Sequence, residues 1–281
     1  MKEPDRNEQT MVVDSEALRH LLEEIRGVYG YDFTEYAEAS VKRRVGRFAE
    51  LRQINSLEQL RELLLHDEAS LENFIQEVSV TVTEMFRDPD FYLALRMAVV
   101  KRLATYPFLR VWVAGCATGE EVYSAAIMLE EADLLRRSVI YATDINQKSL
   151  QTAREGIYPI AAMKSYTSNY LKSGGSREFS TYYKAKYGSV IFNKDLKKNL
   201  IFYPHNLVVD RSFNEFHLIL CRNVLIYFKQ ALQNRVIGLF HESLCTFGIL
   251  ALGSKESLLF TDKRKNFQEI ARKEKIYMKV K

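Results

Sequence analysis

The chain contains 281 residues, of which 47% are hydrophobic and 27% are charged, a composition typical of a soluble globular protein with two domains. The formal net charge is only +4, so the total charge does not predict a nucleic-acid partner, and no apolar run approaches the roughly 20 residues of a membrane-spanning helix. The three cysteines are widely separated and lack the spacing of a metal site or a disulfide framework. This spacing favours a reducing cytoplasm and no metal cofactor. The polar segment 1–10 does not resemble a signal peptide and is expected to be a frayed tail.

Residues from about 14 to 80 show helical periodicity alone, which predicts a small all-α N-terminal domain, residues 1–80, with four short helices. Gly30 is expected to end the first helix, and Ser56 with Gln59 forms a capping-box pattern at the start of the third. The residues predicted to cap or begin the four helices are Asp14 or Ser15, Thr34, Ser56 and Ser70.

The second predicted helix carries a basic cluster that consists of Lys42, Arg43, Arg44 and Arg47. Arg43 and Arg47 are one turn apart, so their side chains share a face of the helix. Few carboxylates lie close to them in the sequence. The cluster is therefore either an ordinary solvated face or a docking surface for an acidic partner.

Residues 81–106 are predicted to form a linker followed by a helix. Asp88 and Pro89 are typical of an N-cap and a first helical residue, and the helix is expected to continue to about residue 106. Thr81, Thr83 and Arg87 lie just before this helix. Their side chains are either ordinary linker residues or a loop that folds over a cofactor.

The stretch 111–121 runs from an apolar strand through Gly115 and Gly119 into a helix, an arrangement in which backbone N–H groups and a helix N-terminus face a ligand. Asp144 ends the next predicted strand, where an acidic residue can bind ribose hydroxyls. The helix begins with Glu120 and Glu121, two negative charges where a dinucleotide would place its pyrophosphate. A cofactor with a positive centre and no phosphate, such as S-adenosylmethionine, fits this pattern better.

Strands and helices alternate along residues 107–281, which predicts a Rossmann-like α/β domain with a mostly parallel sheet. Ligands of such sheets bind beyond the carboxyl ends of the strands. The residues that fall at these ends are Gly115, Asp144, Asn206 and Arg222. The alternation breaks at residues 160–198, which are expected to form a small antiparallel β insertion.

Several short motifs occur in a characteristic order along the chain. They are Tyr31-Asp-Phe33 followed by Lys42-Arg43-Arg44, Thr83-Glu-Met-Phe-Arg87-Asp-Pro89, Ala117-Thr-Gly-Glu-Glu121, Ala142-Thr-Asp144-Ile, Ala153-Arg-Glu-Gly156-Ile-Tyr, His205-Asn206-Leu207 and Cys221-Arg-Asn-Val-Leu-Ile-Tyr227-Phe. In these motifs the chain resembles the CheR-type chemotaxis-receptor glutamate methyltransferases over nearly all of its length.

The resemblance implies the fold of a class I S-adenosylmethionine-dependent methyltransferase, with a mostly parallel seven-stranded sheet, an all-α N-terminal domain and a small antiparallel insertion. It implies transfer of a methyl group from S-adenosylmethionine to glutamate side chains of methyl-accepting receptors, with S-adenosylhomocysteine as the by-product and no metal. The residues implied to bind the cofactor are Thr81, Thr83, Arg87, Gly115, Glu121, Asp144, Asn206, Leu207, Cys221 and Arg222. The residues implied to line the methyl-transfer site are Arg87, Arg222 and Tyr227.

The implied partner is the cytoplasmic helical domain of a chemoreceptor, which would meet the basic cluster. A monomer that neither binds nucleic acid nor inserts into a membrane is expected. The insertion is longer than in some relatives through residues 173–187, so binding of a receptor's C-terminal peptide stays open. A non-catalytic signalling adaptor that binds S-adenosylmethionine is a second interpretation. A methyltransferase for nucleic acid or a small molecule is a third, which the modest charge and the lack of an Asn-Pro-Pro-Tyr-like motif disfavour.

Overall fold

The computed structural model describes residue 11, residues 13–79 and residues 81–281, so the predicted frayed tail lies outside the described residues. The chain divides into two compact units. The first contains Met1–Val80 with Tyr227–Lys229, and the second contains Thr81–Ile226 with Gln230–Lys281. No helix in the described part of the chain is long and apolar enough to cross a membrane.

Residues 13–79 form helices and no strand of a sheet. Their bounds are α1 Ser15–Tyr29, α2 Glu38–Leu51, α3 Leu57–His66 and α4 Glu68–Val78. Each helix repeats apolar side chains every three or four residues and buries that face in a shared core. The fully buried members of this core include Ile25, Val45, Leu60, Leu64 and Phe74.

Local capping explains where α1 and α3 begin and where α1 ends, as predicted. The Asp14 carboxylate accepts hydrogen bonds from the first backbone N–H groups of α1, at 2.9 and 3.0 Å. Gly30 ends α1 with a φ of +78°, a left-handed conformation that favours glycine. The Ser56 hydroxyl accepts from the N–H of Gln59 at 3.2 Å, which confirms the cap of α3.

Two predicted helix starts are wrong. Thr34 does not cap α2, because its N–H and hydroxyl both donate to the carboxylate of Asp32 and the helix begins four residues later. Ser70 lies inside the first turn of α4, since Asp67 caps that helix by accepting from the N–H of Ser70 at 3.2 Å. In both cases a nearby aspartate side chain is the stronger local acceptor.

The second unit contains the sheets and the remaining helices. The helices are α5 Pro89–Leu95, α6 Lys101–Leu103, α7 Glu120–Glu131, α8 Gln147–Glu155, α9 Met163–Lys172, α10 Lys194–Lys197 and α11 Gln230–Ser243. The strands are β1 Leu109–Ala114, β2 Ser138–Asp144, β3 Ile157–Pro159, β4 Tyr183–Lys186, β5 Ser189–Phe192, β6 Leu200–Pro204, β7 Phe216–Cys221, β8 Leu244–Leu252, β9 Phe267–Ala271 and β10 Ile276–Lys279.

Within residues 81–281, seven strands form one sheet in the order β6-β2-β1-β7-β8-β10-β9. The first five of these strands pair in parallel, and the β8–β10–β9 pairings are antiparallel. The predicted mostly parallel seven-stranded sheet is confirmed. Because β1, β2 and β7 are neighbours, the loops that follow them emerge at the same edge of the sheet.

The insertion forms a separate sheet in the order β3-β5-β4, with antiparallel pairing, as predicted. It starts at Ile157, three residues before the expected boundary, and it also contains the helix α9, which the sequence pattern did not indicate.

Residues 81–106 were expected to link two domains, but they pack into the core of the second unit. Phe86, Tyr92, Leu95 and Val99 in this segment are all fully buried. The predicted long helix is interrupted by a π-helical turn at Arg96–Val100 and ends at residue 103.

Candidate functional site

The loop between β1 and α7, residues 115–119, is fastened to the end of β2. The N–H groups of Gly115 and Cys116 donate to the carbonyl oxygen of Thr143 at 2.8 and 2.9 Å. The N–H of Ala117 donates to the carboxylate of Asp144 at 2.9 Å. The glycine turn and the acidic residue, which are far apart in the sequence, therefore lie side by side.

Glycine is required at the helix end of this loop. Gly119 has a φ of +97°, and a Cβ there would lie 2.7 Å from the Cβ of Ala153 in α8. The loop is thus pressed against the helix that follows β2, and no side chain separates the two.

Asp144 is positioned to accept further hydrogen bonds. Its other carboxylate oxygen accepts from the N–H of Asn146 at 2.9 Å. Burial raises the pKa of Asp144, while the backbone N–H donors oppose that rise. The carboxylate has about four lone-pair sites, which is more than the backbone donors of Ala117, Ile145 and Asn146 occupy, so the partly exposed residue fits the hydroxyls of a ribose.

Arg222, the first residue after β7, is the centre of a buried ion-pair network. One terminal nitrogen of its guanidinium contacts Glu121 at 2.9 Å, and the other contacts Asp88 at 2.7 Å and the carbonyl oxygen of Arg87 at 3.1 Å. The guanidinium also lies 3.9 Å from the ring centroid of Phe91. Burial lowers the pKa of Arg222, but the neighbouring carboxylates more than offset this and raise it overall.

This network has two consequences for the site. Both terminal nitrogens of Arg222 are already bonded, so the side chain is a fixed charge and not a free two-pronged grip for a substrate carboxylate. One guanidinium against the carboxylates of Glu121 and Asp88 leaves a net negative charge, which fits a cationic ligand such as a sulfonium. Asp88 adopts a φ of +57° and directs its side chain to Arg222, so the predicted N-cap bond is not formed.

The segment before α5 lies against this network. The side chain of Arg87 donates to the carbonyl oxygen of Val82 at 3.2 Å. Within residues 13–79 and 81–281, no carboxylate forms an ion pair with Arg87. Its guanidinium is consequently freer than that of Arg222. Thr81 and Thr83 in the same segment are half-buried.

The residues after β6 approach Asp144 through the backbone. The N–H of His205 donates to the carbonyl oxygen of Asp144 at 3.2 Å. The side-chain oxygen of Asn206 accepts from the N–H of Val208 at 2.9 Å, and Leu207 is buried with 8% of its surface exposed. The structure therefore brings Asn206 close to the end of β2, as the order of the strands requires.

The structure gives less direct information on two further predicted site residues, Cys221 and Tyr227. Cys221 is fully buried at the end of β7, so none of its atoms is at the surface, and burial raises the pKa of its thiol well above the usual value. Tyr227 belongs to the first unit, where its carbonyl oxygen accepts from the N–H of Ala37 at 2.7 Å. Its role beside Arg87 and Arg222 stays a prediction.

The basic cluster on α2 is partly neutralised. Lys42 pairs with Glu38 at 2.9 Å, and Arg47 pairs with Glu77 of α4 at 3.2 Å. The expectation of few nearby carboxylates missed Glu77, because that residue is 30 positions away in the sequence and reaches α2 only by helix packing.

Two arginines of the cluster differ in their accessibility. Arg44 donates to the carbonyl oxygen of Glu77 at 2.8 Å and is half-buried. Arg43 is exposed and forms no ion pair among the described residues. Arg43 and Arg47 therefore keep the exposed face that the helical spacing predicted.

The sequence patterns did not single out two groups that hold the site together. Tyr158 of β3 donates to the carbonyl oxygen of Thr118 at 2.8 Å, and Tyr166 of α9 donates to Glu120 at 3.2 Å. Glu256, after β8, accepts backbone hydrogen bonds from the loop that follows Arg222. Tyr158 ends the motif at residues 153–158, but no local pattern indicated these contacts, since their partners are distant in the sequence.

Among the residues that the structure describes, no group of three or more histidine, cysteine, aspartate or glutamate side chains could hold a metal ion. The carboxylate of Asp144 and the backbone groups around it at the edge of the sheet fit an organic ligand that carries hydroxyl groups.

Comparison with known proteins gives matches over both units. Residues 16–79 match the family model described as the CheR methyltransferase all-alpha domain, and residues 81–276 match the CheR methyltransferase SAM binding domain. The chain is 48% identical over 264 residues to "Putative methyltransferase Cher3" of Pseudomonas putida, which covers 93% of this chain and 96% of that protein. It is 32% identical over 232 residues to a "Chemotaxis protein methyltransferase" of Listeria innocua, covering 82% of this chain and 86% of that one. The protein of the same name from Escherichia coli is 32% identical over 197 residues, covering 68% and 66%.

Proposed function

The chain belongs to the CheR family of S-adenosylmethionine-dependent methyltransferases, and on that premise we propose that it methylates glutamate side chains of chemotaxis receptors. The observation that carries this proposal is the match of both units to the two domain models of one family, with relatives named as chemotaxis methyltransferases. The substrate would be the cytoplasmic helical domain of a receptor, and the product would be a glutamyl methyl ester.

The cofactor is proposed to bind at the edge of the sheet where the loops after β1, β2, β6 and β7 emerge. The net negative charge around Arg222 supports a cationic ligand there, and the free lone pairs of Asp144 support a ribose. The residues proposed to contact the cofactor or to hold those that do are Thr81, Thr83, Arg87, Gly115, Glu121, Asp144, Asn206, Leu207, Cys221 and Arg222.

The reaction places modest acid–base demands on the protein. S-adenosylmethionine supplies an electrophilic methyl group, and an acceptor glutamate with an ordinary pKa of about 4.3 is already ionised at neutral pH. The chain therefore needs to align and desolvate the acceptor and needs no strong general base. We assign orientation of the acceptor carboxylate to Arg87, whose guanidinium is freer than that of Arg222, and further placement to the hydroxyl of Tyr227.

The acceptor is proposed to dock on the exposed face of α2. Arg43 and Arg47 lie one turn apart on that face, and they complement acidic residues around the methylated glutamates of a receptor. Because Arg47 already pairs with Glu77, Arg43 is expected to contribute the larger share of the attraction.

The test is methyl transfer from tritiated S-adenosylmethionine to receptor-containing membranes of the source cell, followed by base hydrolysis. We expect label in receptors as a base-labile ester, and we expect Arg87→Ala to lower the rate by about 100-fold or more. Arg136→Ala, which changes an exposed arginine of the same unit, is the matched control and should be neutral. The absence of ester in several cognate receptors contradicts the proposal. Binding of S-adenosylhomocysteine without any transfer favours an adaptor, and label in RNA or DNA favours a different substrate.

A further inference from the structure

We propose that Glu256 is a positioning residue for cofactor binding, because its carboxylate fixes the loop after β7, residues 223–225, so that Val224 packs against Gly115. The inference rests on the cofactor site proposed above. It does not depend on the identity of the methyl acceptor.

The Glu256 carboxylate is the acceptor for a series of backbone donors. One oxygen accepts from the N–H groups of Val224 and Leu225 at 2.9 and 2.7 Å. The other accepts from the N–H groups of Asn223 and Gly253 at 3.1 and 2.5 Å. Only 4% of the surface of Glu256 is exposed. With four donors bound the carboxylate is saturated, so it is unsuited to act as a base and is suited to hold the chain.

The loop depends on this carboxylate for its conformation. Asn223 adopts a φ of +60°, and it and the next two residues direct their N–H groups to the same side chain. Without Glu256 these largely buried donors would lose their partner. The approach is close enough to require a glycine at 253, where a Cβ would lie 2.8 Å from both the nitrogen of Asn223 and an oxygen of Glu256.

The held loop forms part of the proposed cofactor site on two sides. A Cβ at Gly115 would lie 2.5 Å from a methyl carbon of Val224, so Val224 rests directly on the glycine turn after β1. Arg222, which immediately precedes the loop, carries the ion pairs to Glu121 and Asp88. A shift of residues 223–225 therefore moves both the surface over Gly115 and the backbone that carries Arg222.

The experiment measures binding of S-adenosylhomocysteine to the full chain by calorimetry. Glu256→Gln keeps the shape of the side chain but turns an amide NH₂ towards backbone donors, so we expect affinity to fall by about tenfold or more. Val224→Ala, at a half-buried position, should weaken binding in the same direction and carries the test if Glu256→Gln does not fold. Glu269→Gln in β9 changes a partly exposed carboxylate away from the loop and should bind as the wild type does.

Loss of stability alone must give a different result. Ile249→Val truncates a buried side chain of β8 and lowers stability without touching the loop, so it should leave affinity unchanged at a temperature where every variant is folded. Affinity of Glu256→Gln within about twofold of the wild type, or an equal weakening in Ile249→Val, overturns the inference. Asp144→Asn separates this inference from the proposed site. If Asp144→Asn binds S-adenosylhomocysteine normally, the proposed site itself is overturned. If Asp144→Asn binds weakly while Glu256→Gln binds normally, only the role of Glu256 is overturned.

Discussion

Replacing Arg222 with methionine tests whether the buried ion-pair network is a fixed structural charge. The substitution keeps an unbranched side chain of similar reach over Phe91 but leaves the carboxylates of Glu121 and Asp88 without their cation. The side chain of Glu121 is 11% exposed and that of Asp88 is 44% exposed, so water compensates mainly Asp88. Removing one partner of a buried pair costs about 3–5 kcal/mol, and the partial exposure of Asp88 places the expected loss at about 3 kcal/mol.

Thermal unfolding of the purified chain measures this loss. For a unit of this size, about 3 kcal/mol corresponds to a fall in Tm of about 6–12 °C. The double variant Arg222→Met, Glu121→Gln should be more stable than Arg222→Met alone, since it removes the unpaired charge as well.

The matched control is Arg264→Met, which breaks the ion pair with Glu269 where both side chains are about one third exposed. This change should cost at most about 1 kcal/mol. Equal losses for Arg222→Met and Arg264→Met would refute the reasoning, as would a double variant less stable than Arg222→Met.

Three further predictions concern the rest of the chain. The double variant Arg43→Glu, Arg47→Glu should slow receptor methylation by about tenfold at low salt, while its affinity for S-adenosylhomocysteine, measured by calorimetry, should not change. If the affinity for S-adenosylhomocysteine falls together with the rate, docking through α2 is contradicted. Burial raises the pKa of Glu120, so the protonated carboxyl favours the folded state at low pH and this stabilisation is lost as the pH rises. The free energy of unfolding relative to Glu120→Gln should therefore fall as the pH rises above about 4.3 in denaturant titrations, and a flat difference rules this out. Gly119→Ala should destabilise the folded protein by about 1–3 kcal/mol, because Gly119 has a positive φ and a Cβ there would clash with α8. Gly27→Ala, which faces open space on α1, should stabilise the folded protein by about 0.5–1 kcal/mol. Denaturant midpoints of the two variants that move in the same direction would contradict both expectations.

Where neighbours along the chain decide the structure, the sequence was sufficient. Asp14 and Gly30 mark the start and the end of α1, because helix caps act over one turn of the chain. The mostly parallel sheet followed from the alternation of strands and helices, and its seven strands were implied by the resemblance in motifs. Thr34 and Ser70 were wrongly predicted as helix starts. In each case an aspartate two or three residues earlier accepts the hydrogen bonds, and only the side-chain geometry shows which residue does so.

The predicted edge of the sheet followed from the order of the strands, and the structure places Asp144 beside the loop at Gly115. What the sequence could not supply was the state of each charge. Arg222 meets Asp88 across 134 residues, and Glu256 meets the loop after β7 across about 30. Such pairs depend on which strands become neighbours and on which side chains lose water together, and neither is encoded in local spacing. The sequence by itself determined the helices, the strands and the residues available for the site. Tertiary packing decided which of those residues are free to bind a ligand and which only fix the position of their neighbours. The reason is that charges lose water and form pairs only once the chain has folded.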